Sequence, residues 1–226
     1  MRLLAIEGAT EQASVALWVD GDLLYRERTA AGGHGEWLMM TVRALLFEAD
    51  CPLTALDALV FGRGPGSFTG LRVVAALVQG LAFGADLGVI PVSSLAVLAQ
   101  AESERGDGAI LAALDARMGE VYWAAFQARS GHIAVLGDES VSSMESIRLP
   151  VGGLRWRGVG NAWAAYPDLQ SADVRPPEAA SLPSARSLIV LGLERFRAGR
   201  IMPPESAVPV YVRDQVVQTG QDFKQD

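Results

Sequence analysis

Glycines are concentrated in the segment Gly62–Gly70 (GRGPGSFTG), the pattern in this chain that best fits contact with a ligand. Glycine lets the backbone approach another group closely, and a helix start offers free N–H groups to an anion. The segment is not a P-loop, since no lysine follows Gly70, and it matches neither a nucleophile elbow nor a dinucleotide fingerprint. Two interpretations stay open: a tight strand-to-helix turn capped by Ser67, or a turn that also contacts a ligand or a partner. Its glycines and proline are Gly62, Gly64, Pro65 and Gly66.

Few other residues have the types that catalysis requires. The chain has one cysteine, Cys51, one lysine, Lys224, and two histidines, His34 and His132. These counts exclude a disulfide framework, an internal catalytic lysine and a metal site of several histidines. Cys51 precedes Pro52 in a predicted loop with no activating residue beside it, which disfavours a nucleophilic dyad with His34. We therefore predict no catalytic residue and no metal ligand.

Charge and hydropathy narrow the class of protein further. The 226 residues carry a net charge of −7, unlike an independent nucleic-acid binder, whose affinity comes from neutralising phosphates. No stretch reaches the ~18 uninterrupted apolar residues of a membrane span, and no signal peptide is apparent. We expect a cytoplasmic protein without membrane contact. Local arginine clusters are either solvated faces or weak RNA or nucleotide contacts, and they comprise Arg148, Arg155, Arg157, Arg195, Arg197 and Arg200.

Periodicity predicts an α/β protein whose opening pattern occurs twice. The order βββαβαβα is followed by a charged, flexible boundary at Glu102–Gly108, after which strand, turn and hairpin recur. We expect one subdomain at residues 1–105 and a smaller, degenerate one at residues 106–226. Strands are predicted at Leu3–Glu7, Ala13–Trp18, Leu23–Arg28, Leu59–Phe61, Val89–Val92, Ile110–Asp115, Val121–Gln127 and Ile133–Leu136, and helices at Glu36–Glu48, Phe68–Phe83, Ser94–Ala101 and Ser184–Ala198.

Two of the predicted helices carry more apolar surface than one sheet needs. In Glu36–Glu48, one arc, containing Leu38, Met39 and Leu45 among others, fits the helix's own sheet. A second arc and a stripe of small residues on Phe68–Phe83 would be exposed on a monomer. Either both helices are buried within their domain, or they bind a like-folded partner. The candidate partner-binding residues are Trp37, Met40, Ala44, Phe47, Thr69, Val73, Ala76 and Gly80.

A duplicated βββαβα unit resembles the plan of the actin, sugar-kinase and Hsp70 superfamily, in which nucleotide binds between the halves. That resemblance implies an actin-like, RNase H-like fold with mixed sheets flanked by helices and a reduced second subdomain. Glu7, Asp115 and Glu120 stand where superfamily members place acidic metal–nucleotide residues. Turn residues that cap their own backbone would give the same pattern.

Specific segments resemble the TsaB (YeaZ) family. In that family TsaB pairs through its two N-terminal helices with its homologue TsaD, the catalytic subunit, and the ATPase TsaE joins them. The resemblance implies a non-catalytic subunit of the assembly that places a threonylcarbamoyl group on the adenosine beside the tRNA anticodon. It also implies that tRNA is bound only through the complex. The segments are LLAIEGATEQASVALW, HGEWLMMTVRALL, LDALVFGRGPGSFTGLRVVAALVQGLAFG, IPVSSLAVLA, LDARMGEVYWAAF and PVYVRD.

Departures from the catalytic paralogue support this interpretation. Ser94 and Leu98 stand where the paralogue has an H-x-x-x-H metal pair, and Ala116–Gly119 replaces its second glycine-rich turn. We expect no cofactor bound by this chain alone, leave ATP or ADP at the subunit junction open, and expect a homodimer when TsaD is absent. The alternatives are an actin-like ATPase or kinase and, last, an M22-type glycoprotease homologue.

Overall fold

Two mixed sheets flanked by helices make up the structure, a computed structural model that describes residues 1–30, 32–150, 153–167 and 173–213. The predicted elements form within a few residues of their expected ends, although α1 begins at His34, two residues early. The first half contains β1 (Arg2–Glu7), β2 (Gln12–Val19), β3 (Asp22–Thr29), α1 (His34–Glu48), β4 (Ala58–Gly62), α2 (Phe68–Ala85), β5 (Gly88–Val92) and α3 (Ser94–Ser103). The second contains β6 (Gly108–Arg117), β7 (Glu120–Arg129), β8 (His132–Val135), β9 (Ser140–Ser142), β10 (Trp156–Val159), α4 (Ala162–Ala165), β11 (Val174–Arg175) and α5 (Ala185–Arg197).

The two sheets have the same strand order and the same strand directions. The first runs β3-β2-β1-β4-β5, with β1 antiparallel to β2 and parallel to β4. The second runs β8-β7-β6-β10-β11, with β6 antiparallel to β7 and parallel to β10, while β9 pairs with the start of β7. The repeat predicted from the pattern is therefore confirmed, and so is the fold class of two mixed α/β sheets flanked by helices.

The helices that end the two halves are exchanged between the sheets. α3, from the first half of the chain, packs on β6 and β7, whereas α5, from the second half, packs on β1 and β2. The Ser14 hydroxyl in β2 accepts a 2.9 Å hydrogen bond from the Ala185 N–H at the start of α5. One hydrophobic core joins both sheets through these helices. The predicted division between residues 105 and 106 assigns the strands of each sheet to one half of the chain, but α3 and α5 each pack on the sheet of the other half. The division into two subdomains stays a prediction.

The outer faces of the two sheets are covered differently. α1 and α2 lie on the first sheet and bury Leu38, Val42 and Val74 among others. The outer face of the second sheet is covered by the short α4 and by side chains from strands and loops, with Trp123, Trp156 and Trp163 in these clusters.

The end of the described chain returns to the first half and then crosses to the second. Met202 and Val89 exchange backbone hydrogen bonds of 2.8 and 2.9 Å, and the Val210 N–H donates to the Arg63 carbonyl at 2.8 Å. Arg213 then pairs with Glu120 at the start of β7. We call residues 200–213 the C-terminal strap.

α2 has the length and apolar composition of a membrane span, with a mean hydropathy of 1.5 over 18 residues, one third of them buried. One such helix is weak evidence for a span, because core helices have the same composition. Leu71, Val74 and Val78 lie against the first sheet. The helix therefore has a buried apolar side and an exposed one.

Candidate partner-binding surface and the adjoining cleft

An apolar surface is exposed on α1 and α2. Met40 is 63% exposed and Phe47 is 89% exposed. Ala44, Thr69, Ala76 and Gly80 are exposed as well. The sequence prediction placed all of these on a partner-binding face, and we define these six residues as the α1–α2 surface.

The other two predicted partner-binding residues lie at the margins of this surface. Trp37 is half-buried and packs on the core of the first half, with the Arg28 guanidinium 5.5 Å from its ring centroid. Val73 is half-buried where the two helices meet, and a Cβ atom on Gly35 would lie 3.4 Å from it. Because the helices meet there, their exposed residues form one continuous surface.

Beside the α1–α2 surface, three further apolar side chains that the sequence prediction does not include are exposed on the same two helices. Met39 was assigned to the buried arc of α1 but is 39% exposed, and Thr41 is buried instead. Phe68 and Phe83 of α2 are also exposed, at 52% and 60%. Met and aromatic side chains are enriched in the cores of protein interfaces, so their exposure together is typical of a docking surface. A Cβ atom on Gly80 would meet nothing within 4 Å, so the surface is open there.

The glycine-rich turn packs against the chain itself. A Cβ atom on Gly62 would lie 2.0 Å from the Glu7 carboxylate, and one on Gly66 would lie 2.3 Å from the Ala9 carbonyl oxygen. Ser67 caps α2, accepting a 3.4 Å hydrogen bond from the Gly70 N–H, as predicted. The first interpretation, a tight capped turn, therefore accounts for these glycines. Gly64 and Pro65 are buried in the same turn and are joined by a cis peptide bond.

Glu7 is fully buried beneath this turn. Its Oε1 accepts hydrogen bonds from the backbone N–H groups of Gly8 at 2.9 Å and Ala9 at 2.8 Å, and its Oε2 accepts one from the Ser94 hydroxyl at 3.3 Å. Burial raises the pKa of Glu7 to about 7, and these three hydrogen bonds oppose the rise. Glu7 thus caps its own backbone and accepts a further hydrogen bond from Ser94.

A cleft of about 1210 Å³ lies between the two halves. The N-terminal ends of α1 and α2 line one wall, and Asp115, Arg117 and Asn161 line the other. The Asp115 carboxylate accepts hydrogen bonds from the Arg117 N–H at 2.8 Å and the Tyr166 hydroxyl at 2.9 Å. It also pairs with the Arg117 guanidinium at 3.0 Å. Asp115, near the end of the first strand of the second half, therefore caps its own turn as Glu7 does in the first half.

The turn from β6 to β7 has an uncommon backbone. Arg117 and Met118 have φ angles of 64° and 57°, a left-handed conformation that favours glycine. Both side chains are exposed, Met118 at 88%, and Arg117 lines the cleft. The third acidic candidate, Glu120, pairs with Arg213 of the C-terminal strap. This turn therefore presents side chains where a phosphate cradle would present backbone N–H groups.

The remaining candidate residues lie apart from each other. Cys51 is 4% exposed and its sulfur faces the Pro52 carbonyl, whereas His34 Nε2 lies 3.2 Å from the Thr10 carbonyl. His132, as expected, is exposed, with Nδ1 2.6 Å from Glu194. Within the described residues, no group of three or more His, Cys, Asp or Glu side chains is arranged to hold a metal ion.

Several arginines of the predicted clusters have structural contacts. Arg157 donates to the carbonyls of Asp107 at 3.0 Å and Gly106 at 2.7 Å and pairs with Glu102 at 3.0 Å. Arg195 donates to the Pro91 carbonyl, and Arg148 donates to neighbouring carbonyls. Arg155, Arg197 and Arg200 are exposed.

Comparisons with known proteins agree with this arrangement. Residues 28–221 match the family model described as TsaD: tRNA N6-adenosine threonylcarbamoyltransferase. The chain is 40% identical to the tRNA threonylcarbamoyladenosine biosynthesis protein TsaB of Escherichia coli, over 96% of both chains. It is 34% identical to that of Haemophilus influenzae, over 96% of this chain and 95% of the relative. The solved structure of YeaZ from Pseudomonas aeruginosa superposes with a TM-score of 0.87 at 39% identity, covering 93% of this chain and 99% of that one. The chain belongs to the TsaB (YeaZ) family of tRNA threonylcarbamoyladenosine biosynthesis proteins.

Proposed function

We propose that this chain is a non-catalytic scaffold and activator subunit for the transfer of a threonylcarbamoyl group to the adenosine beside the tRNA anticodon. The observation that carries the proposal is the α1–α2 surface, whose Met40 and Phe47 side chains are exposed on the free chain. A subunit activates a partner by binding its competent conformation more tightly than others. Because tRNA is the substrate of the assembly, the chain acts in the cytoplasm.

The proposed partner on this surface is a TsaD-type catalytic subunit, with a TsaE-type ATPase joining the pair. When the catalytic subunit is absent, the same surface binds a second copy of this chain. tRNA is bound through the complex and not by this chain alone. The net charge of −7 and the structural contacts of Arg157 and Arg195 support that statement.

The chain by itself is proposed to bind no cofactor, and ATP or ADP is assigned to the junction of the complex. The β1–β2 turn and the glycine-rich turn are in direct contact, with the Ser67 N–H 2.6 Å from the Ala9 carbonyl oxygen. Arg117 and Met118 stand in the second turn. Both arrangements disfavour a complete phosphate cradle in this chain.

A second candidate function is that of an actin-like ATPase or kinase. The cleft of about 1210 Å³ between the halves favours this function. The glycine-rich turn, which packs on Ala9, and the β6–β7 turn, which carries Arg117 and Met118, oppose it. A glycoprotease activity of the M22 type is the weakest candidate, because Ser94 and Leu98 are buried and replace the metal pair.

A reconstituted tRNA modification assay tests the proposal. TsaD, TsaE, tRNA, ATP and threonylcarbamoyl-adenylate are incubated with and without this chain, and modified adenosine is quantified. We expect modification only with this chain, and no turnover of ATP or peptide by this chain alone. Equal modification without it would contradict the activator role, and ATP hydrolysis by the isolated chain would favour the ATPase.

A further inference from the structure

Arg72 is the one charged residue of α2 (FTGLRVVAALVQGLAFGA), and it is exposed beside Thr69 and Ala76 of the α1–α2 surface. Its guanidinium carbon lies 3.6 Å from the centroid of the Phe68 ring. Its Nε donates a 3.1 Å hydrogen bond to the Tyr211 hydroxyl in the C-terminal strap. The Phe68 and Tyr211 rings also contact each other, with centroids 5.5 Å apart. Two aromatic side chains from distant parts of the chain therefore hold this guanidinium in place.

This guanidinium has no acidic partner in the part of the chain that the structure describes. Other arginines, such as Arg26 with Glu48 and Arg63 with Glu139, do have one. The chain carries 26 acidic residues against 19 basic ones, so a shortage of acidic residues does not explain why Arg72 lacks such a partner. The contact with Tyr211 uses Nε, which leaves the two terminal amino groups for another acceptor.

Covering the α1–α2 surface with an apolar helix would remove water from Arg72 as well. A charge that is buried without a partner is strongly unfavourable, because it loses its hydration and gains no compensating contact. A partner that covers this surface must therefore bring a hydrogen-bond acceptor to the guanidinium. A carboxylate fits best, because it accepts two parallel N–H bonds from the planar fork of an arginine.

We propose that Arg72, held by Phe68 and Tyr211, is the polar anchor of the α1–α2 surface and binds a carboxylate side chain of the partner's docking helix. This inference rests on the proposed function, since it concerns the same surface. Tyr211 is a positioning residue: it orients the guanidinium before binding, so that less side-chain freedom is lost when the complex forms. The C-terminal strap thereby contributes to docking from a position 139 residues away in the chain.

The test measures the dissociation constant between the full chain and the TsaD-type subunit by calorimetry, at low and at high salt. We expect R72Q to weaken binding about tenfold or more and R72K to weaken it as well, because lysine keeps the charge but not the planar fork. Y211F should weaken binding about threefold, and should add nothing in the R72Q background if it acts only through Arg72. R197Q, which removes an exposed arginine from α5, is the matched control and should stay within about twofold.

The salt dependence separates an electrostatic anchor from a structural role. Binding by the wild-type chain should weaken more with added salt than binding by R72Q, because the variant has lost the ion pair. Wild-type affinity in R72Q would overturn the anchor while leaving the proposed function intact. Loss of self-association in R72Q with unchanged binding to the TsaD-type subunit would also overturn it, since the occupant would be a second copy. Failure of the wild-type chain to bind the TsaD-type subunit would overturn the proposed function itself.

Discussion

The two halves of this molecule share one strand order and differ in what covers it. The first sheet carries α1 and α2, which leave Met40 and Phe47 exposed, whereas the second sheet is covered by tryptophans and a four-residue helix. The repeated topology thus determines where the loops and turns lie. The helices or side chains that cover each sheet determine which half has an exposed apolar surface. The same strand plan carries an exposed apolar surface in one half and a closed core in the other.

The acids at the ends of the two first strands differ in the same way. Glu7 is fully buried and accepts hydrogen bonds from N–H and hydroxyl groups, whereas Asp115 lines the cleft and pairs with Arg117. Equivalent positions in a duplicated plan therefore have different electrostatic surroundings. Four substitutions test how far this contrast holds.

The largest effect is expected from Met40→Asp, on the exposed apolar surface of the first half. A carboxylate placed at the centre of an apolar interface costs several kcal/mol, so the dissociation constant for the TsaD-type subunit should rise at least about 100-fold. The fold should persist, because Met40 is exposed. Met118→Asp, at an even more exposed methionine of the second half, is the control and should bind nearly as wild type. Equal losses from both variants would remove the contrast between the halves.

Gly62→Ala should destabilise the chain strongly, since its Cβ would lie 2.0 Å from the buried Glu7 carboxylate. We expect the free energy of unfolding to fall by about 3 kcal/mol, measured by urea denaturation. Gly119→Ala is the counterpart in the turn of the second half, where φ is +77° and nothing lies within 4 Å. Its cost should be about 1 kcal/mol, from backbone strain alone. A smaller loss for Gly62→Ala than for Gly119→Ala would be inconsistent with the packing of the glycine-rich turn.

Glu7→Gln should change the pH dependence of stability. Burial raises the pKa of Glu7 from 4.5 to about 7, so its contribution is fully present below pH 4.5 and is lost as the pH rises through 7. Relative to E7Q, the wild-type free energy of unfolding should therefore fall by about 2–3 kcal/mol between about pH 5 and pH 8. D115N should keep that fall, because Glu7 is still present. Parallel profiles for wild type and E7Q would show that burial does not hold the proton on Glu7.

The smallest effect is expected from Met118→Gly. Met118 has φ 57°, a conformation that costs an L-residue roughly 1 kcal/mol and glycine almost nothing. The variant should gain about 0.5–1 kcal/mol of stability in urea denaturation, while Met118→Ala should gain nothing. A loss of stability in Met118→Gly would mean that the methionine side chain supports the turn.

The sequence was sufficient for the elements and for the repeat because these depend on local patterns. The apolar run in Ala13–Trp18 and the helical spacing of Leu38, Val42 and Leu45 are visible within a few residues. The second apolar arc of α1 was predicted for the same reason. Met39 was misplaced because helical position alone does not say how far a neighbouring helix reaches.

Features that join distant residues could not be predicted. The exchange of α3 and α5 between the sheets, the burial of Glu7 under Ser94 and the contact of Arg72 with Tyr211 each depend on tertiary packing. In each case the chain carries no local signal for the partner. The segment that contains Tyr211, PVYVRD, resembles the family but has no periodic pattern that would place it beside α2.

The exchange of helices also bears on how the protein is made. α5 completes the core over β1 and β2, and its first turn is held by Ser14, 171 residues earlier in the chain. During synthesis, the face of the first sheet that α5 covers therefore stays exposed to solvent until α5 has left the ribosome. A fragment that ends after α3 would keep that face uncovered, so the two halves of this protein should fold together and not in sequence.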